Sequence, residues 1–297
     1  MNRQALANAE KLKAELQRIS VLSRSSFNIR TTQNRFSATF GDPGEVHLSY
    51  VGSEYNEQWS EFSDSQLVLF QGITSVDTLN LGGTRITDAG LVHLKGLTKL
   101  RSLYLGDNTL IKGDGLKHLG TVGLEALGLA LSGVSDAELV HIAKLTELKT
   151  LSLHGTRVTD LGLAYLKELN GLQTLYLGFT KVTDNGMAQL NAMIGLRALD
   201  LRCTNLSDVG LAQLKQLVNL EELSLEDTQI TDAGLQCLES LTSLRKLDLS
   251  DTQITDAGLA HLGVLNKLED LQLQRTMASE AGIDRLKLAL PGCKISN

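Results

Sequence analysis

The sequence is poor in residues that interrupt or decorate a fold. Two prolines in 297 residues, with 21% charged residues, exclude a disordered or collagen-like chain. No run approaches the roughly 18–20 consecutive apolar residues of a membrane span. The three cysteines, Cys203, Cys237 and Cys293, are odd in number and form no CxxC pair, so neither a disulfide framework nor a zinc site is expected. A basic excess is missing too. The 28 Lys and Arg stand against 34 Asp and Glu, which disfavours a nucleic-acid partner. Aromatics make up 4% of a chain that is 42% hydrophobic, so some other residue must fill the interior. That residue is leucine.

Enzyme signatures are absent as well. There is no GxGxxG after a strand, no P-loop, no HExxH and no GxSxG, and the expectation is a non-enzymatic chain without cofactor or metal. Residues 1–10 lack the apolar core of a signal peptide. Leu6, Ala9, Leu12, Leu16 and Ile19 fall instead at the spacing of an amphipathic helix over residues 3–19. A reducing, cytoplasmic location is expected, with a secreted effector, or export after loss of a leader, as the alternative.

What the sequence does have is a repeat. Val76, Leu100, Leu124, Leu148, Leu172, Leu196, Leu220, Leu244 and Leu268 stand 24 residues apart. Each opens the pattern L-x-x-L-x-L-x-x-T-x-[IV]-[TS]-D-x-G-L-x-x-L-x-x-L. The clearest copy runs from Leu244 through Leu247, Leu249, Thr252, Ile254, Thr255, Asp256, Gly258, Leu259 and Leu262 to Leu265. Within L-x-L the apolar period is two, which predicts a short strand with one buried face. Leu259, Leu262 and Leu265 recur every third residue, which suits one side of a short helix. Strand, helix and return every 24 residues predict parallel strands with right-handed crossovers. One unit cannot bury its own apolar face, so stacked units must share a continuous leucine core.

The pattern resembles the leucine-rich repeat family, in the helix-bearing form found in many bacterial proteins, over residues 76–297. It is also similar to the ribonuclease-inhibitor-like and cysteine-containing subfamilies, although this chain has Thr where the latter carry Cys. The resemblance implies an α/β solenoid: a right-handed β-α superhelix of horseshoe form, with a concave parallel sheet and convex helices. The expected organisation is an N-terminal helix and irregular cap over 1–62 and a degenerate first-repeat helix at 63–75. Nine 24-residue repeats would fill 76–290, and a capping strand 291–297. Val46–Tyr50 is expected to be the strand of the degenerate repeat, and Cys293 and Ile295 to occupy the L-x-L places of the last one.

Other fixed positions have structural readings. Thr84, Thr156, Thr180, Thr204, Thr228, Thr252 and Thr276, with Asn108 and Ser132, form a column just after the strand. The family holds Asn there to satisfy backbone groups of a buried turn, and a Thr hydroxyl can do part of that work. Pairs such as Thr159-Asp160, Thr183-Asp184 and Thr255-Asp256 read as helix starts: the hydroxyl caps and the Asp sits at the positive end of the dipole. Gly90, Gly162, Gly186, Gly210, Gly234, Gly258 and Gly282 are expected to allow close approach of neighbouring repeats. Leu110–Gly115 carries one extra residue before Leu116, which predicts a bulge at that helix start.

Function is expected on the strand face. Residues between the strand leucines point away from the core. About ten strands at roughly 4.8 Å spacing, each exposing some 16 Å, present on the order of 700–800 Å², one side of a standard protein interface. Tyr104, His154, Tyr176 and Phe179 form an aromatic-bearing strip of the kind that anchors partners. Asp200 and Arg202 lie next to it. Toward the C-terminus Glu222, Glu226, Asp227, Asp248, Asp251 and Asp270, with Glu221 and Glu269, are offset nearby by Arg245, Lys246 and Arg275. This gives either solubilising charge or a patch steering a basic segment of a protein partner. His93, His118, His141 and His261 share a helix column, which repeat copying explains as well as metal binding would. The expectation is a monomeric protein–protein interaction scaffold, with no nucleic acid and no membrane. An adaptor of a ubiquitin-ligase-like complex, a secreted effector, and an enzyme housed in residues 1–75 are the rivals.

Overall fold

A computed structural model describes residues 7, 8, 11, 12, 14, 35–40, 46–51, 62–73 and 76–297, the segments 35–40 and 46–51 as backbone only. The chain divides into two compact units. One comprises Met1–Val134 with Val140–Leu148, the other Ser135–Leu139 with Lys149–Asn297.

In the first unit three parallel strands recur at 24-residue steps: β3 (Thr78–Asn80), β4 (Ser102–Tyr104) and β5 (Ala126–Gly128), preceded in the chain by β1 (Arg35–Phe40) and β2 (Val46–Val51). In the second unit seven more follow: β6 (Thr150–Ser152), β7 (Thr174–Tyr176), β8 (Ala198–Asp200), β9 (Glu222–Ser224), β10 (Lys246–Asp248), β11 (Asp270–Gln272) and β12 (Lys294–Ser296). The central residue of each strand from β3 to β11 is a buried leucine, and the flanking two face outward, as period-two patterning requires. Between strands the chain forms a short helix, such as Asp160–Leu166, Asp184–Leu190 and Asp256–Leu262. Leu163 and Leu166, or Leu259 and Leu262, are buried, as the strand leucines are. This is a repeat-by-repeat α/β winding with an almost purely aliphatic core.

The turn column behaves as its chemistry dictates. The hydroxyls of Thr156, Thr180, Thr204 and Thr228 donate to the carbonyl three residues earlier at 2.6–2.7 Å. Asn108 does more: its amide donates to Leu105 O at 3.0 Å and to Leu81 O of the preceding repeat at 2.7 Å. The extra residue before Leu116 is absorbed as expected, with Gly113 at φ 111° opening the turn. Asp88 accepts there from the backbone N–H groups of Lys112, Gly113 and Gly115.

Two expectations at the ends are corrected. Val46–Val51 is not a repeat strand; it pairs antiparallel with Arg35–Phe40 in a separate two-stranded sheet, Phe36 opposite Tyr50 and Phe40 opposite Val46. The missed signal is Asp42-Pro43-Gly44, a turn sequence between two alternating runs. At the other end Ile295 pairs with Leu271, which places Cys293 before the strand rather than at a leucine place. Residues Asp64–Leu67 are helical, with a reciprocal Ser63/Gln66 cap at the start, and Leu12 and Asn8 are buried, the latter donating to Gln71 O at 3.0 Å.

Candidate functional site

The strand face of the second unit holds a groove of about 210 Å³ running across β7 to β11. Its cause is local. Ala198 and Ser224 are small, and around them stand Tyr176, Arg202, Glu222, Lys246, Asp248, Asp270 and Gln272. Strand alternation sends all of these outward, and the parallel register brings residues 24 apart side by side.

Tyr176 forms one wall and is 38% exposed. Burial, then the carboxylates of Glu222 and Asp200, raise its phenol above the ordinary value. Three residues on, Phe179 is 55% exposed at φ 57°, and its ring meets that of His154 with centroids 5.0 Å apart and planes tilted by 57°. Gly178 makes this arrangement possible, because a Cβ there would lie 2.8 Å from Arg202 Cγ and 2.9 Å from His154 Nδ1. Of the expected strip, His154 and Phe179 meet ring to ring in this unit, while Tyr176 lines the groove. Tyr104 belongs to the first unit, where it leans over Gly128, whose Cβ would meet its ring at 2.8 Å.

Phe179 belongs to a column that the sequence did not betray. Asp107, Leu131, Phe179, Cys203, Asp227, Asp251 and Arg275 all have left-handed backbone, φ 50–58°, and Gly83 and Gly155 hold the same place. The turn after each strand imposes that conformation, whether or not the residue suits it.

The acidic residues are more heavily paired than their spacing implied. Asp200 is buried and accepts Arg202 Nε on both oxygens at 3.0 Å. Arg202 Nη1 also lies 3.7 Å from Glu226. Burial opposes the charge on Arg202, yet these carboxylates hold its pKa above the usual value. Glu222 accepts from Lys246 at 2.6 Å, which raises the lysine pKa. Asp251 pairs with Arg275, Glu221 with Arg197, and Glu269 with Arg245 at 2.6 Å. The column before the strands alternates in sign, as Arg197, Glu221, Arg245 and Glu269, so Glu221 and Glu269 are rungs of a ladder between repeats. The signal for it, opposite charge at 24-residue spacing, was present in the sequence. Asp227, Asp248 and Asp270 have no cationic partner in ion-pair contact among the described residues, although the Asp227 carboxylate helps to raise the Cys203 thiol pKa.

Cys203, with burial and the Asp227 carboxylate acting together, has its thiol pushed up to about 11, far from the state of a nucleophile. In the histidine column His93 meets Gln71 at 3.0 Å and His261 meets Glu239 at 2.7 Å. The described residues contain no group of three or more metal-ligating side chains. None of their helices is long and apolar enough to cross a membrane.

Leucine-rich repeat family models match residues 194–254, and residues 73–94 and 96–120. Among solved structures the chain is similar to an internalin (inlF) from Listeria monocytogenes, at 24% identity and TM-score 0.55, covering 77% of this chain and 76% of that one. It is likewise similar to an internalin C2 (inlC2) from the same organism, at 28% identity and TM-score 0.55, covering 71% and 84%. No curated protein sequence matches. The chain is a leucine-rich repeat protein, and its fold is the α/β solenoid of that class. Family and neighbours together point to a protein-interaction scaffold.

Proposed function

We propose that the chain is a non-enzymatic scaffold that binds a protein partner on its strand face, centred in the second unit on Tyr176, Phe179 and His154 and on the groove beside them. Phe179 carries the reading. Its turn requires left-handed backbone, which costs a non-glycine residue roughly 1–2 kcal/mol. A bulky aromatic is poorly suited to that place, and this one is left more than half exposed with His154 against its ring. Exposed aromatics on a rigid face are the usual anchors of protein interfaces, and strained backbone clusters at binding sites. The acidic remainder, Asp227, Asp248 and Asp270, with Glu226 and Asp251 at the rim, favours a partner with a basic segment. The proposal includes a monomeric chain in a reducing, cytoplasmic setting, with which three free cysteines agree.

The test compares proteins captured by immobilised wild type, by a Tyr176→Ala/Phe179→Ala variant and by a Leu161→Ala/Tyr165→Ala variant altered on the helix Asp160–Leu166. The expected result, read by mass spectrometry, is a partner lost from the first variant and retained by the second. Equal capture by all three would remove the strand face from the function.

A further inference from the structure

Two carboxylate oxygens in the β7–β11 groove are uncommitted. Asp248 Oδ1 accepts from Ser250 N at 3.0 Å and from Ser250 Oγ at 2.7 Å, while its Oδ2 has no hydrogen bond among the described residues. Asp270 Oδ1 accepts from Gln272 Nε2, and its Oδ2 is likewise without a partner there. The two acids lie on neighbouring strands, β10 and β11.

The cations of the groove are occupied elsewhere. Lys246 is held by Glu222 at 2.6 Å and Arg202 by Asp200 at 3.0 Å. Each of those pairs balances its own charge. Asp248 and Asp270 therefore leave the groove two negative charges in excess, and low-dielectric walls focus such a field. A third polar group awaits a partner: Ser224 Oγ, on the floor between them and Tyr176, is shielded from solvent with no hydrogen bond. An unsatisfied hydroxyl of this kind calls for an explanation.

Size and shape narrow the occupant. About 210 Å³ is below the roughly 300–1,000 Å³ of pockets that enclose a whole small molecule, and it suits one long side chain. The Ala198 methyl and the Tyr176 ring offer an apolar flank for an aliphatic stem. The carboxylates and the hydroxyl lie beyond them. A guanidinium fits this set better than an ammonium, because its planar fork serves several acceptors at once and its face stacks on an aromatic ring.

We propose that the groove receives a single arginine side chain of the protein partner, its stem along Ala198 and Tyr176 and its guanidinium on Asp248, Asp270 and Ser224. The proposal rests on the strand face being the partner-binding surface, and it names the chemistry recognised there.

The probe is the peptide acetyl-Gly-Arg-Gly-amide, set against its citrulline counterpart, which keeps the shape and lacks the charge. Methyl NMR of the full chain follows the Ala198 signal during titration. A saturable shift is expected with the arginine peptide, with binding weakened about tenfold or more for citrulline and for the Asp248→Asn/Asp270→Asn variant. Ala198→Leu fills the groove without altering charge and, because it removes the reporter methyl, is followed by saturation-transfer NMR on the arginine peptide, where binding is expected to be abolished. Asp284→Asn, which removes a charge on the helix Glu280–Ala289 outside the groove, is expected to leave it unchanged. A flat Ala198 signal overturns the proposal, as does equal binding of the two peptides or indifference to the double variant. If the peptide fails while Tyr176→Ala/Phe179→Ala still loses the partner, the arginine subsite falls and the strand-face function stands. If both fail, the functional reading falls with it.

Discussion

Asp160 binds Thr183 twice across the boundary between consecutive repeats: Oδ1 accepts the Thr183 backbone N–H at 2.7 Å and Oδ2 accepts its hydroxyl at 2.7 Å. The Thr183 oxygen in turn accepts the backbone N–H of Asn185 at 3.3 Å and caps the next helix. The same clip joins Asp136 to Thr159, Asp184 to Ser207, Asp208 to Thr231, Asp232 to Thr255 and Asp256 to Ser279 in the second unit, and Asp64 to Thr87 in the first. The T-D-x-G motif is thus a connector between coils. Its stabilisation belongs to the neighbour-interface terms on which a stacked repeat depends.

The glycine of the motif makes room for that clip. A Cβ on Gly186 would stand 2.5 Å from Asp160 Oδ1 and 2.8 Å from Leu163 Cδ1, closer than packed atoms tolerate. Gly186→Ala is expected to lower stability by about 1–3 kcal/mol, the range for an overpacked site. Gly120→Ala meets nothing within 4 Å and is expected to be neutral or stabilising by up to about 1 kcal/mol. Urea unfolding of the two variants beside wild type measures both, and similar losses would show that space at Gly186 is not the cause.

The clips also predict acid lability. The hydroxyl and backbone N–H of Ser279, with Arg285, hold the Asp256 pKa below the ordinary carboxylate value, and Arg275 does the same for Asp251. A depressed folded-state pKa means that the unfolded chain binds protons first as pH falls. Stability from these groups is therefore fully present above the unfolded carboxylate range near ~4 and is lost as pH drops through the lower folded values. The urea midpoint is expected to be flat from pH 7 to about 5 and to fall steeply below ~4. Asp256→Asn should begin lower at neutral pH and fall less steeply, whereas an acid slope identical to wild type would remove Asp256 from the account.

The 24-residue winding was legible because every repeat leucine is a core leucine: Leu103, Leu175 and Leu247 share one environment and so recur in one pattern. The helix starts were legible too, since a Thr cap acts two residues away. The other half of the Thr–Asp pair was hidden, because Asp160 finds its partner 23 residues on, across the stack. The charge ladder was legible as spacing: Arg197 and Arg245 stand 24 residues either side of Glu221, and parallel register places them in the flanking repeats. The groove was invisible because it is made by what Ala198 and Ser224 lack, not by any residue that announces itself.

Cys203 supplies a chemical check on the strand face. With its thiol near 11 instead of the ordinary 9.0, the thiolate fraction at neutral pH is about 100-fold smaller. Alkylation by iodoacetamide at pH 7.5, followed by mass spectrometry, is expected to be slower than for an unhindered peptide thiol by a comparable factor. Asp227→Asn removes a carboxylate that raises the thiol pKa and should speed the reaction. A wild-type rate equal to that of the free peptide would contradict the placement of Asp227 beside the sulfur.

The left-handed column separates stability from binding at one residue. Phe179→Gly removes the β-carbon that makes φ 57° costly, against the roughly 0.5–1 kcal/mol that glycine forfeits through the unfolded chain. The balance predicts stability unchanged or raised by up to about 1 kcal/mol, and Leu131→Gly, at φ 55° in the first unit, should behave alike. Phe179→Ala keeps the strain while losing the His154 contact, so it should be the less stable of the two Phe179 variants. Both should lose the partner, because both remove the ring. Thermal melts paired with partner capture distinguish the outcomes. If Phe179→Gly melts well below wild type, the aromatic is a structural element of its repeat; if it melts at or above wild type and no longer binds, the ring is there for the partner.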